Sequence, residues 1–211
     1  MTATRKNILV QRTPDLELKG AAEIREKAMA MLRPENELEQ LLLMQANFLK
    51  GLDWGMPRYG HPEGKVLLHV REVLDNVDKL KKILPAQRKR LRLITFVHDT
   101  FKYIEDKNRP RDWTRHHAAI ARNFLANFTD DQATLDVTEL HDEAFYAWRS
   151  IHLGKKPEQG NLRMKRLLDR IGDNLQLYYI FFKCDTRTGD KMQAPLEWFE
   201  AHVEHIEIVD F

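Results

Sequence analysis

Apolar residues recur along this chain at intervals of three and four rather than two, which is the period of helices that bury one face. Helices are predicted over 16–33, closed before Pro34, and over 35–52, where Leu38, Leu41, Leu42, Met44, Phe48 and Leu49 are the apolar positions. Gly51 to Gly60 (GLDWGMPRYG) reads as a loop, and Pro62 takes a first helical position. Val66, Leu67, Val70, Val73, Leu74, Val77 and Leu80 then mark one face of a helix. After Pro85, the positions Leu91, Leu93, Ile94, Phe96, Val97, Phe101 and Ile104 lie nearly all round a helix, so it is expected to be central and buried. Asp106 to Asp112 is a charged loop that ends in an N-capping Asp112. Further helices are predicted at about 113–127, 131–150, 161–184 and 194–207, with Gly154 to Gly160 as a linker. Leu177 to Phe182 has the apolarity of a strand, but the Gly172 to Asn174 break and the surrounding pattern favour a buried helix. Residues 1–14 are weakly periodic, end at Pro14 and read as an arm. The fold class is all-α. The expected layout is an arm and helical extension over 1–54, packed on a core of 55–211 that closes with a C-terminal helix.

Composition narrows the function classes. Lys and Arg number 34 against 32 Asp and Glu, a net charge of +2, which excludes a strongly basic nucleic-acid platform and an acidic tail protein. The single Cys184 excludes an internal disulfide and a Cys-rich zinc ribbon. No apolar run approaches the roughly 18 residues of a membrane span, and Ile8-Leu9-Val10 is too short for a signal-peptide core. These features predict a cytoplasmic protein without a membrane partner.

The chemistry concentrates in the histidines. His98-Asp99 falls inside the apolar run Ile94-Thr95-Phe96-Val97, where an isolated carboxylate is costly unless it is paired or bound to a cation. Read alone, the pair is core hydrogen bonding. It is accompanied by His69, beside Val66 and Val70, and by Asp185, which ends the run Tyr178 to Cys184. Three helices thus offer two imidazoles and two carboxylates on apolar faces that a bundle can bring together. Without thiolates, that set suits manganese, cobalt, nickel, iron or zinc rather than a structural zinc cage.

The order His69, His98-Asp99, Asp185 resembles the H…HD…D signature of HD-domain metal-dependent phosphohydrolases. Gly60-His61-Pro62-Glu63-Gly64-Lys65-Val66-Leu67-Leu68-His69 resembles the HPEG segment of the HD domain in bacterial CCA-adding tRNA nucleotidyltransferases, and Cys184-Asp185-Thr186-Arg187-Thr188-Gly189 resembles their later aspartate element. The likeness spans about residues 55–192. Only residues 1–54 precede it, with no nucleotidyltransferase motif, so nucleotide addition is not expected. His98-Asp99 is followed by Thr100-Phe101-Lys102, which departs from the HDxxED of guanosine tetraphosphate hydrolases and resembles the HDxxK of small HD phosphohydrolases. No GYP element is evident.

The resemblance implies an HD-type helical bundle in which His69, His98, Asp99 and Asp185 hold a divalent ion (manganese, cobalt, nickel, iron, zinc or magnesium), alone or as one of two bridged by Asp99. Lys102, four residues after His98, is a candidate to neutralise phosphate charge, against the alternative of a surface lysine. His117 is favoured over His116 as a second-metal ligand or a proton donor, and His116 is kept as a substrate contact. His141 competes for the second-metal role, but its acidic neighbours favour a surface ion pair. His61 is a cleft or loop residue. Arg71 is a cleft-edge phosphate contact or, the favoured reading, a solvated arginine. Thr188 contacts phosphate or closes a turn. His152, His202 and His205 receive no role. The basic stretch from Lys79 to Arg92 and the tryptophans 54, 113, 148 and 198 favour solvated turns and core packing over an RNA end or a stacked base. The expected activity is hydrolysis of a phosphate monoester or cyclic phosphodiester, of a nucleotide, by metal-activated water. The alternatives are a non-catalytic HD module that binds a nucleotide or metal, and a helical adaptor. Oligomeric state stays open.

Overall fold

The computed structural model describes residues 15–211, so the predicted arm over 1–14 lies outside the described residues. Among the described residues the regular structure is helical, and the only β feature is an isolated bridge between Arg58 and His61. The chain passes through α1 (Asp15–Leu32), α2 (Glu37–Leu42), α3 (Ala46–Leu52), α4 (Val66–Lys79) and α5 (Pro85–Val97). It continues with α6 (His117–Leu125), α7 (Gln132–Leu140), α8 (Glu143–His152), α9 (Pro157–Ile171), α10 (Leu175–Thr186) and α11 (Ala194–His202). Short 3-10 turns at Lys102–Ile104, Trp113–Arg115 and Gly172–Asn174 join some of them.

Several predicted helices are in fact two. The helix expected over 35–52 breaks at Leu43 to Gln45, with Gln45 extended. At 100° per residue, Leu42, Phe48, Leu49 and Leu52 would share one face of an unbroken helix and Leu43 would stand about 100° off it, yet all five are buried. The break turns both halves onto the core. The stretch 131–150 divides into α7 and α8 because Tyr178 is wedged between them. Its hydroxyl accepts from Ala144 N–H (3.1 Å) and lies 3.2 Å and 3.3 Å from the carbonyls of Leu140 and His141. The stretch 161–184 divides at the Gly172 to Asn174 break noted in the sequence, and the φ of 50° at Gly172 suits a helix end that L side chains avoid. The predicted linker 154–160 instead opens α9 at Pro157, and Gly160 lets α9 lie against Ile151 and Ala147 of α8. Pro62 does not begin α4, which starts at Val66; Pro62 to Gly64 form a turn. Asp112 caps a 3-10 turn rather than α6, and α11 stops at His202.

Among the described residues two hydrophobic clusters form the core. One gathers α8, α9 and α11 around α10, with Tyr178, Phe181 and Phe199 fully buried. The other packs α1, α2 and α3 against α4 and α5 through Leu32, Phe48, Phe96 and Phe101. Burying each such side chain stabilises the fold by about 1.5–3 kcal/mol. Helices α4 and α5 serve both clusters: Val73, Val77, Leu91 and Ile94 face the first, Val70, Leu74, Leu93 and Phe96 the second. His69 and His98 sit on these two shared helices.

Candidate metal centre

Five elements deliver seven polar side chains to one place. Helix α4 brings His69, the end of α5 brings His98 and Asp99, the first turn of α6 brings His117, the end of α7 brings His141 and Asp142, and the last turn of α10 brings Asp185. His98-Asp99 does not lie inside a helix as expected but caps α5, because the chain turns at residues 98–101.

The ligand atoms form two quartets that share Asp99. In the first, His69 Nε2 lies 2.9 Å from Asp185 Oδ1, 3.3 Å from His98 Nε2 and 3.6 Å from Asp99 Oδ2. His98 Nε2 is 3.6 Å from both Asp99 Oδ2 and Asp185 Oδ1. In the second, Asp99 Oδ1 lies 3.4 Å from His117 Nε2 and 3.5 Å from His141 Nε2, which are 3.4 Å apart. Asp142 Oδ2 completes it at 3.4 Å from His117 and 3.7 Å from His141. Donors held at about 2.1 Å from a common ion stand about 3.0–3.4 Å apart; the trios His69, His98, Asp99 and Asp99, His117, His141 approach that spacing, and Asp185 and Asp142 each stand beside the imidazoles of one trio.

A local motif occurring twice builds the centre. Thr95-x-x-His98-Asp99 ends α5 and Thr138-x-x-His141-Asp142 ends α7. In each, the threonine hydroxyl donates to a carbonyl four residues back (Leu91 O, 2.7 Å; Thr134 O, 2.8 Å). In each, the histidine Nδ1 donates to the threonine carbonyl, at 3.0 Å and 2.9 Å. That bond holds each ring with Nε2 aimed at the quartet; His98 offers its lone pair there, and His141 does so once the proton on Nε2 is displaced.

The donor set fits a cation. His98 Nε2 carries a lone pair toward His69 Nε2. His69 meets an acceptor at both ends: Asp185 Oδ1 at Nε2, and Glu63 Oε1 3.4 Å from Nδ1. Whichever nitrogen of a neutral His69 holds the proton, one acceptor faces another, and a metal ion or a second proton removes the conflict. Among the described residues Asp99 Oδ1, which faces His117 and His141, is buried with no hydrogen-bond partner, a costly state for a polar atom. Charge argues the same way: among the described residues the carboxylates Asp99, Asp142, Asp185 and Glu63 outnumber the cations beside them, Lys102, Lys191 and protonated His141. Burial opposes ionisation of Asp99, but Lys102 and His98 outweigh it and hold the carboxyl well below its usual range. Burial also opposes ionisation of Asp185, and Lys191 and His69 hold it low in the same way.

One side of the centre is open. Asp142 is 25 % exposed at its side chain, and Asp185, Lys102, Lys191 and His61 are each 17 % exposed, whereas His98 is fully enclosed. Lys102 Nζ bonds Asp99 Oδ2 at 2.5 Å, and Lys191 Nζ bonds Asp185 Oδ1 at 2.8 Å. His61 stands edge-on to His69 with ring centres 5.0 Å apart, its Nδ1 2.9 Å from Glu63 Oε1. Burial, with Lys191 and Lys102 nearby, pushes the His61 pKa down to about 4, so it is neutral at physiological pH.

The structure revises several sequence-based roles. His141 is no surface ion pair; it is buried at the middle of the second quartet. His117 lies in that quartet, with the geometry of a ligand. His116 does not face the open side: its Nδ1 accepts from Ala118 N–H at the start of α6, and its Nε2 meets the Tyr146 hydroxyl at 3.1 Å. It lines a cavity of about 490 Å³ together with Trp113 and Arg163. Arg71 points away, to Met31 O, Asp75 and Asp78, since two residues along a helix turn a side chain about 200° from His69. Thr188 donates to Asp185 O at 2.7 Å and closes the end of α10 rather than reaching a ligand. The arginines of the basic stretch are neutralised: Arg88 by Glu35 and Asp78, Arg90 by Asp131, and Arg92 by buried Glu39. Glu63, Asp142 and Lys191 were not singled out from sequence. For Asp142 a signal existed, the second Thr-x-x-His-Asp.

The fold and the centre define an all-α bundle with buried His/Asp clusters that could hold a metal ion. Comparison with protein-family models, with curated proteins and with solved structures finds no match.

Proposed function

We propose that this protein is an HD-type metal-dependent phosphohydrolase that cleaves a phosphate monoester or cyclic phosphodiester. The observation that carries the reading is the pair of buried His/Asp trios sharing Asp99, whose Oδ1 is turned into the second of them without a hydrogen-bond partner. His69, His98, Asp99 and Asp185 would hold one divalent ion; His117, His141, Asp142 and the other oxygen of Asp99 would hold a second. Ions bound there supply a water of lowered pKa and polarise a phosphoryl oxygen. Imidazole and carboxylate donors without thiolate suit manganese, iron, cobalt, nickel or zinc.

The chain's own residues complete the site. Both oxygens of Asp99 are committed, one to each quartet, which keeps the two sets in register. Glu63 orients His69 and His61 together through one oxygen. Enclosure of the imidazoles keeps bulk water off the ligand atoms, and Lys102 and Lys191 place positive charge at the open side, where a phosphoryl group would arrive. The nucleotide class of substrate comes from the resemblance of residues 60–69 and 184–189 to tRNA-enzyme HD domains.

The test is hydrolysis of p-nitrophenyl phosphate, bis(p-nitrophenyl) phosphate and a 2′,3′-cyclic nucleotide by protein supplied with manganese. His98→Ala and Asp99→Ala are expected to abolish turnover while circular dichroism stays helical. Undiminished turnover in both variants overturns the proposal.

A further inference from the structure

Two lysines hold oxygens that belong to the first quartet. Lys102, in the 3-10 turn directly after Asp99, sits on Asp99 Oδ2. Lys191, in the segment that follows α10, sits on Asp185 Oδ1 and also on Asp185 O at 3.0 Å. These two carboxylate oxygens are the ones within 3.6 Å of both His69 Nε2 and His98 Nε2. An ammonium and a divalent ion on the same carboxylate oxygen are like charges in close contact, and they repel in a poorly solvated site. Each lysine has a flexible four-carbon stem, and each lies on the open side of the centre. Among the described residues no other cationic side chain contacts these two oxygens apart from the quartet imidazoles.

We infer that Lys102 and Lys191 are exchangeable counter-ions. They neutralise Asp99 and Asp185 while no divalent ion is bound, and binding of the ion frees both ammonium groups to grip the anionic group of a substrate. The inference rests on the reading of the centre as a metal site and adds a coupling to it. Metal uptake creates the anion site, and by linkage an anion raises metal affinity by the same factor. The ligand class is a compact oxyanion with two or more negative oxygens, which two separate ammonium donors can share.

Lys102→Met and Lys191→Met keep the stems and remove the charges. The lysine competes with the metal and serves the anion, so its loss moves the two affinities in opposite directions. By calorimetry, each variant is expected to bind manganese about tenfold more tightly than the parent, and its manganese-loaded form to bind inorganic phosphate about tenfold more weakly. A lysine with only a structural role would not produce opposite signs. A wild-type measurement avoids dependence on the variants' folding: in protein with labelled lysine ε-carbons, adding zinc is expected to shift two lysine signals. If the parent binds manganese but the variants bind it no more tightly, or if no lysine signal moves with zinc, the exchange is wrong and the metal reading stands. If the parent binds no divalent ion, both fall.

Discussion

Asp99 divides its two oxygens between two imidazole pairs, and that division makes predictions for single side chains. His141→Ala removes a donor from the second quartet only. Elemental analysis of the manganese-reconstituted variant should give one ion per chain where the parent gives two; two ions in the variant would contradict the assignment. Protonation adds a pH dependence. Burial opposes charge on His141, but Asp142 and Asp99 outweigh it and raise the pKa to about 9. Against an unfolded value of about 6.5, this stabilises the metal-free fold fully below about 6.5, and the contribution is lost as pH rises through about 9. A metal ion must displace that proton, so near neutral pH uptake releases a proton and tightens as pH climbs. Calorimetry in buffers of different ionisation enthalpy reads the release directly; identical heats in all of them would refute it. The first quartet was legible in sequence because a carboxylate inside an apolar run demands a partner, and His69 and Asp185 shared that setting. His141 was not, since Glu139, Asp142 and Glu143 around it resemble a solvated face. Lys191 and Glu63 were illegible because their placement comes from the meeting of two distant segments, where Gly60 N–H donates to Asp190 Oδ1.

The elements matter through the turns that end them. A Cβ on Gly51 of α3 would lie 1.8 Å from Thr100 O, in the turn that carries Asp99. Gly51→Ala should therefore destabilise the fold by about 1–3 kcal/mol, as overpacking does, and also weaken manganese binding by moving Asp99; thermal melts and metal titration check both. Buried Glu39 of α2 grips Arg92 of α5 at 2.8 Å and 3.0 Å, and Arg92 also donates to Leu32 O and Arg33 O. Glu39→Ala removes the buried carboxylate and leaves Arg92 only the exposed Glu35 at 3.1 Å, and urea unfolding should show a loss of about 3 kcal/mol. The apolar period located most helices, yet periodicity measures one face at a time. It missed the break at Leu43 to Gln45, where the face changes direction. It also missed the Tyr178 wedge between α7 and α8, where a side chain of α10 supplies bonds the helix would make itself.

At the scale of the molecule, α4 and α5 carry the first ligands on the two helices that both hydrophobic clusters share, so the centre is braced from either side. Among the described residues no helix is long and apolar enough to cross a membrane. Ions gripped by five elements at once should stabilise the whole fold. At about a hundred times the dissociation constant the gain is about 2.7 kcal/mol, or roughly 5–11 °C in melting temperature for a chain of this size. Chelation should reverse it; a melting temperature indifferent to manganese and chelator would contradict this. The most direct test is anomalous diffraction at the manganese edge from crystals grown with that ion. Two peaks are expected about 3.5–4 Å apart, one on each side of the Asp99 carboxylate, the first among His69, His98 and Asp185 and the second among His117, His141 and Asp142. Peaks elsewhere on the surface, or none between these side chains, would contradict it.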